Sequence, residues 1–292
     1  MKIAGIDIGG TSIKLGIFNR SGKIFQFVEY DTESEKGGHY VFEKLIKQLE
    51  KLKTFDAIGV STAGQVDRKK GIIAQEAANI PKTSGLKVKS ILESHFNVPV
   101  AVENDVNAAA LGEKFYGIGK EKNDFLYLAY GTGIGGAIVV DSEIYYGKSG
   151  FAAEFGHMIT HGHGKKCKCG LQGCYESYAS TSALIREAKN IDPSFKSGRI
   201  IFKKFYQGDK RVRQLINGWV DEIVIGLTSL IHIFNPSTII IGGGIMEQEI
   251  LIDMIARRVK RSVLTSFSEV ELLKATLGNK AGMLGAVSLH IH

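Results

Sequence analysis

Apolar residues in this chain follow two rhythms, and the changes from one to the other divide it into alternating strands and helices. Residues 3–8 run as a strand into Gly9-Gly10, after which Ile13, Leu15 and Ile17 recur at every second position. Strand, glycine turn and strand make a β-hairpin; a P-loop or dinucleotide turn would open a helix there instead. Residues 23–29 continue as a strand, 40–52 as a helix, and 55–61 as a buried strand ending in Thr62-Ala63-Gly64. A helix over 86–96 and a short strand over 98–102 lead to Glu103-Asn104-Asp105, and an alanine-rich helix follows over 106–115.

Residues 117–120 read as a connector, so domains are expected at 1–117 and 118–280. Strands at 125–129 and 137–140 flank Gly131-Thr132-Gly133-Ile134-Gly135-Gly136. The spacing matches G-x-G-x-x-G, but a strand follows rather than a helix, so this is a second hairpin and no dinucleotide fingerprint. The remainder is mainly helical. A long helix spans 210–234, a buried strand at 238–241 ends in Gly242-Gly243-Gly244, and a helix covers 248–263. A strand at 270–273 precedes a last helix at 281–289. The alternation of strands and helices is that of an α/β protein.

Composition narrows the class. A chain of 292 residues with 44% hydrophobic and 23% charged residues has the make-up of a globular protein large enough for two domains. The first glycine turn arrives too early for a signal peptide, and no apolar run approaches a membrane span. Three cysteines crowded into one segment argue against a disulfide framework and for a reducing compartment such as the cytoplasm. The net charge of +7 comes without a basic stripe interleaved with aromatics, which excludes nucleic acid as the expected partner. It describes a solvated lysine surface, or one suited to an anionic substrate such as a nucleotide.

Candidate chemistry gathers at four places. Cys167, Cys169 and Cys174, with His157 upstream, supply the ligands of a closed tetrahedral Zn²⁺ site, three unrelated thiols being the alternative. Such a site would fix the neighbouring Glu154 and Glu176. Gly9-Gly10-Thr11 and Gly131-Thr132-Gly133 offer backbone amides and hydroxyls to a polyphosphate, with Asp7 placed to hold Mg²⁺ through water. Gly242-Gly243-Gly244 leaves bare backbone on which a flat adenine could lie. Asp105, at a strand terminus, is either the carboxylate that accepts a proton in phosphoryl transfer or an ordinary helix cap.

These segments together resemble the ROK family of bacterial sugar kinases and repressors, within the actin/hexokinase superfamily. Gly5-Ile6-Asp7-Ile8-Gly9-Gly10-Thr11 is similar to its first phosphate motif, Glu103-Asn104-Asp105-Val106-Asn107 to its sugar and catalytic segment, and Gly131 to Gly136 to its second phosphate motif. Glu154-Phe155-Gly156-His157 through Glu176 resembles the family signature. The resemblance implies a two-domain actin/hexokinase (ribonuclease H-like) fold with a cleft between the domains, segment 281–292 returning to the first. It implies ATP, Mg²⁺ and structural Zn²⁺ as cofactors, a sugar substrate, and a homodimer. Asp105 would be the general base at the sugar 6-hydroxyl. Gly64, Asn79, Asn104, Glu154, His157 and Glu176 would bind sugar. Asp7, Gly9, Gly10, Thr11, Lys14, Gly131, Thr132, Gly133, Gly243 and Gly244 would bind nucleotide, and His157, Cys167, Cys169 and Cys174 zinc. Glucose, fructose, N-acetylmannosamine and β-glucosides are substrates of relatives with these motifs. Lys82-Thr83-Ser84-Gly85, where the family often carries a Trp, and Thr62-Ala63-Gly64-Gln65 suggest a β-glucoside or an open anomeric side, and glucose or a β-glucoside is the expected substrate. Three rivals stand beside the kinase: a sugar-responsive repressor, which would place a helix-turn-helix before the first motif, a sugar-binding module without activity, and a heat-shock-type ATPase.

Overall fold

Every residue except Lys53, Ala78 and His292 is described by a computed structural model. Ala78, next to Asn79 in the expected sugar segment, and His292, at the end of the expected returning segment, lie outside the described residues. Two compact units emerge. The first holds Met1–Asn123, Ser142–Ala152 and the residues from Thr276 onward; the second holds Asp124–Asp141 and Ala153–Ala275.

The first unit begins with Lys2–Ile8 (β1), Ser12–Asn19 (β2) and Ile24–Asp31 (β3). Gly38–Leu49 (α1) and Ala57–Thr62 (β4) follow, then the small hairpin Gln65–Asp67 (β5) and Ile72–Gln75 (β6), which the sequence pattern did not announce. Val88–Phe96 (α2), Val100–Asn104 (β7) and Asp105–Tyr116 (α3) complete it. The sheet order is β3-β2-β1-β4-β7, antiparallel through the hairpin and parallel from β1 to β4 to β7. Parallel strands covered on both faces read as near-continuous apolar runs, and β4 is buried at every position, with the polar Ser61 and Thr62 only at its end.

The second unit repeats the plan. Phe125–Tyr130 (β8) and Ile134–Val140 (β9) form an antiparallel hairpin. The chain then visits the first unit with the two-residue Glu143–Ile144 (β10). Glu176–Ala179 (α4), Thr181–Ile191 (α5), Gly198–Tyr206 (α6) and Lys210–Phe234 (α7) precede Thr238–Gly242 (β11), Glu249–Ser262 (α8) and Glu271–Lys274 (β12). Strands β8, β11 and β12 run parallel. Gly135 and Gly136, read from sequence as turn, belong to β9, so the second turn is confined to Gly131–Gly133.

Ala281–Ser288 (α9) is buried at every position, as expected of a helix apolar all round. It crosses α3 so closely that a Cβ on Gly285 would lie 1.6 Å from the Ala108 carbonyl oxygen. Only glycine permits that approach.

The boundary between units departs from the expected 117/118. The chain leaves the first unit at Asn123, and residues 142–152 and 276–280 belong to it as well. Two adjacent side chains of α3 show why. Glu113, fully buried, accepts hydrogen bonds from the amides of Ile118 (3.0 Å), Thr276 and Leu277 (both 2.8 Å). Lys114 donates through Nζ to the Lys122 carbonyl at 2.9 Å. Both links join residues to segments that local pattern cannot pair with them.

Helix α7 is long and apolar enough to cross a membrane by length and composition, yet half of its most apolar window is buried. Val212, Ile216, Trp219, Val220, Ile223 and Leu227 enter the core of the second unit, whereas Arg211, Arg213 and Asp221 stay exposed. Its hydrophobicity is one face, which is why no unbroken apolar run shows in the sequence.

Candidate active site

Strand β7 ends and α3 begins at the junction of Asn104 and Asp105. The cap of α3 is Asn104, whose Oδ1 accepts from the amides of Val106 (2.9 Å) and Asn107 (3.2 Å). Asp105 is thereby relieved of the capping role that sequence left open to it, although its Oδ1 also accepts from Val106 at 3.0 Å. The Asn104 amide donates to Asp105 Oδ1 (2.9 Å) and to the Gly64 carbonyl (3.0 Å). Both its hydrogens and both lone pairs are thus engaged inside the chain. A sugar hydroxyl reaching Asn104 would take over one of these bonds.

Beneath this corner Glu103 is 2% exposed. It accepts from the Asn104 backbone N–H (2.9 Å), Asn107 Nδ2 (3.1 Å) and the Tyr146 hydroxyl (2.7 Å). Sequence reasoning assigned no role to Glu103 or Tyr146.

Register brings Asp7 into the same unit. The parallel pairing of β1 with β4 sets Asp7 beside Ser61, whose hydroxyl donates to Asp7 Oδ1 at 2.7 Å. The hairpin pairs Asp7 with Lys14, whose Nζ lies 4.0 Å from Oδ2. Burial raises the Asp7 pKa, opposed by the Ser61 hydroxyl and the Lys14 charge. Burial, with the Asp7 charge second, pushes Asp105 up to about 7. Two carboxyls sharing a desolvated site resist joint ionisation.

Around the first turn, Thr11 is exposed and the Asn79 side chain lies against Gly10, where a Cβ would meet Asn79 Nδ2 at 2.6 Å. Gly64, at φ +100°, occupies a left-handed backbone conformation. Asp7, Gly9, Gly10, Thr11, Lys14, Gly64, Asn79, Asn104 and Asp105 all belong to the first unit.

The other expected residues belong to the second unit. In the turn Gly131-Thr132-Gly133, the Gly131 amide donates to the Gly133 carbonyl at 2.9 Å and Thr132 is exposed. Glu176, the first residue of α4, bridges this turn to the cysteine loop. Its Oε2 accepts from the Ile134 amide at 3.4 Å, and its Oε1 lies 3.2 Å from Cys167 Sγ. Gly243, at φ +102°, lies against the Tyr130 backbone, while a Cβ on Gly244 would meet nothing within 4 Å.

His157, Cys167, Cys169 and Cys174 bring one ligand atom each within 4.8 Å of all the others. Cys169 and Cys174 Sγ are 3.7 Å apart, and Cys167 Sγ is 4.0 Å from His157 Nδ1. Thiolates about 2.3 Å from a tetrahedral zinc stand about 3.8 Å from one another. The donor set and spacing fit structural Zn²⁺. Nδ1 of His157 faces the sulfurs, and Nε2 is 4.0 Å from Glu154 Oε2.

Comparison with known proteins completes the assignment. The chain is similar to the glucokinase of Thermotoga maritima, with 31% identity over 99% of this chain and 97% of that protein. It is similar to the beta-glucoside kinase of Klebsiella pneumoniae, with 32% identity over 98% and 95%. Among solved structures, the ROK family glucokinase of Streptomyces griseus, in complex with glucose and AMPPNP, superposes with a TM-score of 0.87 at 31% identity, covering 99% of each chain. Xylose repressors are similar too: that of Bacillus subtilis matches 80% of this chain, which covers 60% of the repressor. The fold is that of the actin/hexokinase-type ROK sugar kinases. With residues 3–292 matched by the ROK family model, this chain belongs to the ROK family.

Proposed function

We propose that this chain is an ATP- and Mg²⁺-dependent hexose kinase that phosphorylates the 6-hydroxyl of glucose or a β-glucoside. One observation carries the reading: Asp105 is a half-buried carboxyl at a strand terminus, held by an Asn104 side-chain amide whose every bond is accounted for, and desolvation with the Asp7 charge pushes its pKa up to about 7. A general base is most effective when its pKa lies near the working pH.

In the proposed reaction Asp105 takes the proton as the hydroxyl oxygen bonds to the γ-phosphorus and ADP departs. Mg²⁺, held by Asp7 through water, would offset phosphate charge. Asn104 keeps the Asp105 carboxylate in one orientation. Gly9, Gly10, Thr11, Lys14, Gly131, Thr132 and Gly133 are the proposed phosphate contacts, and Gly243-Gly244 the adenine rest. Gly64, Asn79, Asn104, Glu154, His157 and Glu176 are the proposed sugar contacts. Zinc on His157, Cys167, Cys169 and Cys174 would lock the His157 ring and hold Glu176 near its working position. A homodimer is the proposed assembly.

The test is ADP release from Mg-ATP with a panel of glucose, cellobiose, N-acetylmannosamine and fructose. Release with glucose or cellobiose supports the reading. Release with N-acetylmannosamine or fructose alone would move the substrate, and no release with any sugar would return the repressor or binding-module reading.

A further inference from the structure

The first glycine turn is held from outside by a residue that no motif contains. Thr32 directly follows β3 and is fully buried. Its hydroxyl donates to the Gly9 carbonyl at 2.6 Å, and its amide donates to the Thr11 carbonyl at 2.9 Å. One residue therefore grips the carbonyls on either side of Gly10. The Gly9 amide donates to Ser12 O at 3.1 Å. Among the described residues, no group accepts from the amides of Gly10 and Thr11.

Peptide planarity turns this grip into a directional constraint. The Gly9 carbonyl and the Gly10 N–H share one trans peptide plane and point in opposite directions. A carbonyl bound to Thr32 obliges the Gly10 N–H to face away from Thr32. Without the hydroxyl, the plane between two glycines could rotate, because neither has a Cβ to restrict it.

We propose that Thr32 is a positioning residue for phosphate binding: its hydroxyl fixes the orientation in which the Gly10 amide is presented to the nucleotide. This rests on the reading of Gly9–Thr11 as a phosphate turn. It adds a determinant of nucleotide affinity lying one strand away from the motif.

Three variants test it: Thr32→Val, which keeps the volume and removes the donor; Thr32→Ser, which keeps the donor; and Thr32→Cys, a weaker donor. Calorimetry with Mg-AMPPNP and with adenosine would be combined with KM for ATP and for sugar. Thr32→Val should weaken Mg-AMPPNP and raise KM for ATP by about tenfold, the scale of one lost buried hydrogen bond. Adenosine affinity and sugar KM should move less than twofold, Thr32→Ser should bind like wild type, and Thr32→Cys should fall between. Should Thr32→Val fail to fold, the Ser and Cys pair decides by the same ranking. Equal Mg-AMPPNP affinity in all folded variants would overturn the proposal, as would parallel loss of adenosine and sugar binding. Wild-type protein that binds adenosine but gains nothing from the phosphates would overturn the phosphate-turn reading, and the proposal with it.

Discussion

The corner where β7 meets α3 and the cysteine loop of the second unit both present acidic side chains, but they are ordered by different means. At the corner, regular elements do the work. A strand terminus, a helix cap and the buried Glu103 leave Asn104 and Asp105 little freedom. In the loop, residues 158–175 contain no helix or strand beyond isolated bridges pairing Ile159 with Cys174 and Lys166 with Gln172. Cys169 is exposed there. Turn-like backbone hydrogen bonds such as Cys167 N–H to the Leu171 carbonyl (2.8 Å) and Tyr175 N–H to the Met158 carbonyl (2.8 Å) close the loop on itself, and convergent ligands would let an ion fix its side chains. On the proposed reading the first carboxylate depends on the fold and the second set on a metal. The two should therefore fail under different treatments.

Asp105→Asn offers the largest effect. Turnover should fall by about a thousandfold, the usual scale for a general base, while sugar KM stays within a few-fold. Steady-state kinetics with the preferred sugar would show it, and turnover within tenfold of wild type would remove Asp105 from the proposed role.

The same residue predicts the pH response. Asp105 must be ionised to accept a proton, so kcat/KM should rise about tenfold per pH unit below 7 and level off above it. Stability should run the other way. The folded-state pKa is raised from 3.8 to about 7, so the folded state holds its proton more tightly than the unfolded chain. Stability is then lost as pH climbs from about 4 to about 7, by at most about 4 kcal/mol. Asp105→Asn should abolish that loss, and thermal melts of both proteins at pH 5 and pH 8 would reveal a difference larger at the higher pH.

The loop should respond to metal instead. Cys169→Ser, or removal of zinc by a chelator, should weaken sugar binding by about ten- to a hundredfold and leave Mg-ATP affinity nearly unchanged. Titration calorimetry with each ligand separates the two. Equal loss of both would mean that the ion supports the whole fold and that the contrast between the regions is false.

Asn104→Ala should have the smallest effect on stability. Loss of the cap should cost about 1 kcal/mol by chemical denaturation. Turnover should fall further than that cost explains, because Asp105 loses the amide that orients it; unchanged turnover would show that β7 alone is sufficient.

Much of this was legible in the chain. Lys210–Phe234 was read to the residue, because a long one-faced helix carries its period over many turns. Both hairpins followed from alternation around glycine, and the gathering of His157, Cys167, Cys169 and Cys174 from residue chemistry crowded into one segment. Thr32, Ser61, Glu113 and Tyr146 were invisible for a shared reason. Each is an ordinary residue for its element, and its partner lies across a sheet register or at the far end of the chain.

Local sequence, then, determined the elements, the glycine turns and the kinds of ligand atom on offer, since periodicity and side-chain chemistry act over a few residues. Tertiary structure alone decided that Asn104 rather than Asp105 caps α3 and that Glu113 draws Thr276 and Leu277 into the first unit. It also decided that Asp105 is desolvated beside Asp7. Burial, register and the competition for each hydrogen bond are properties of packed neighbours, and they exist only once distant segments have met.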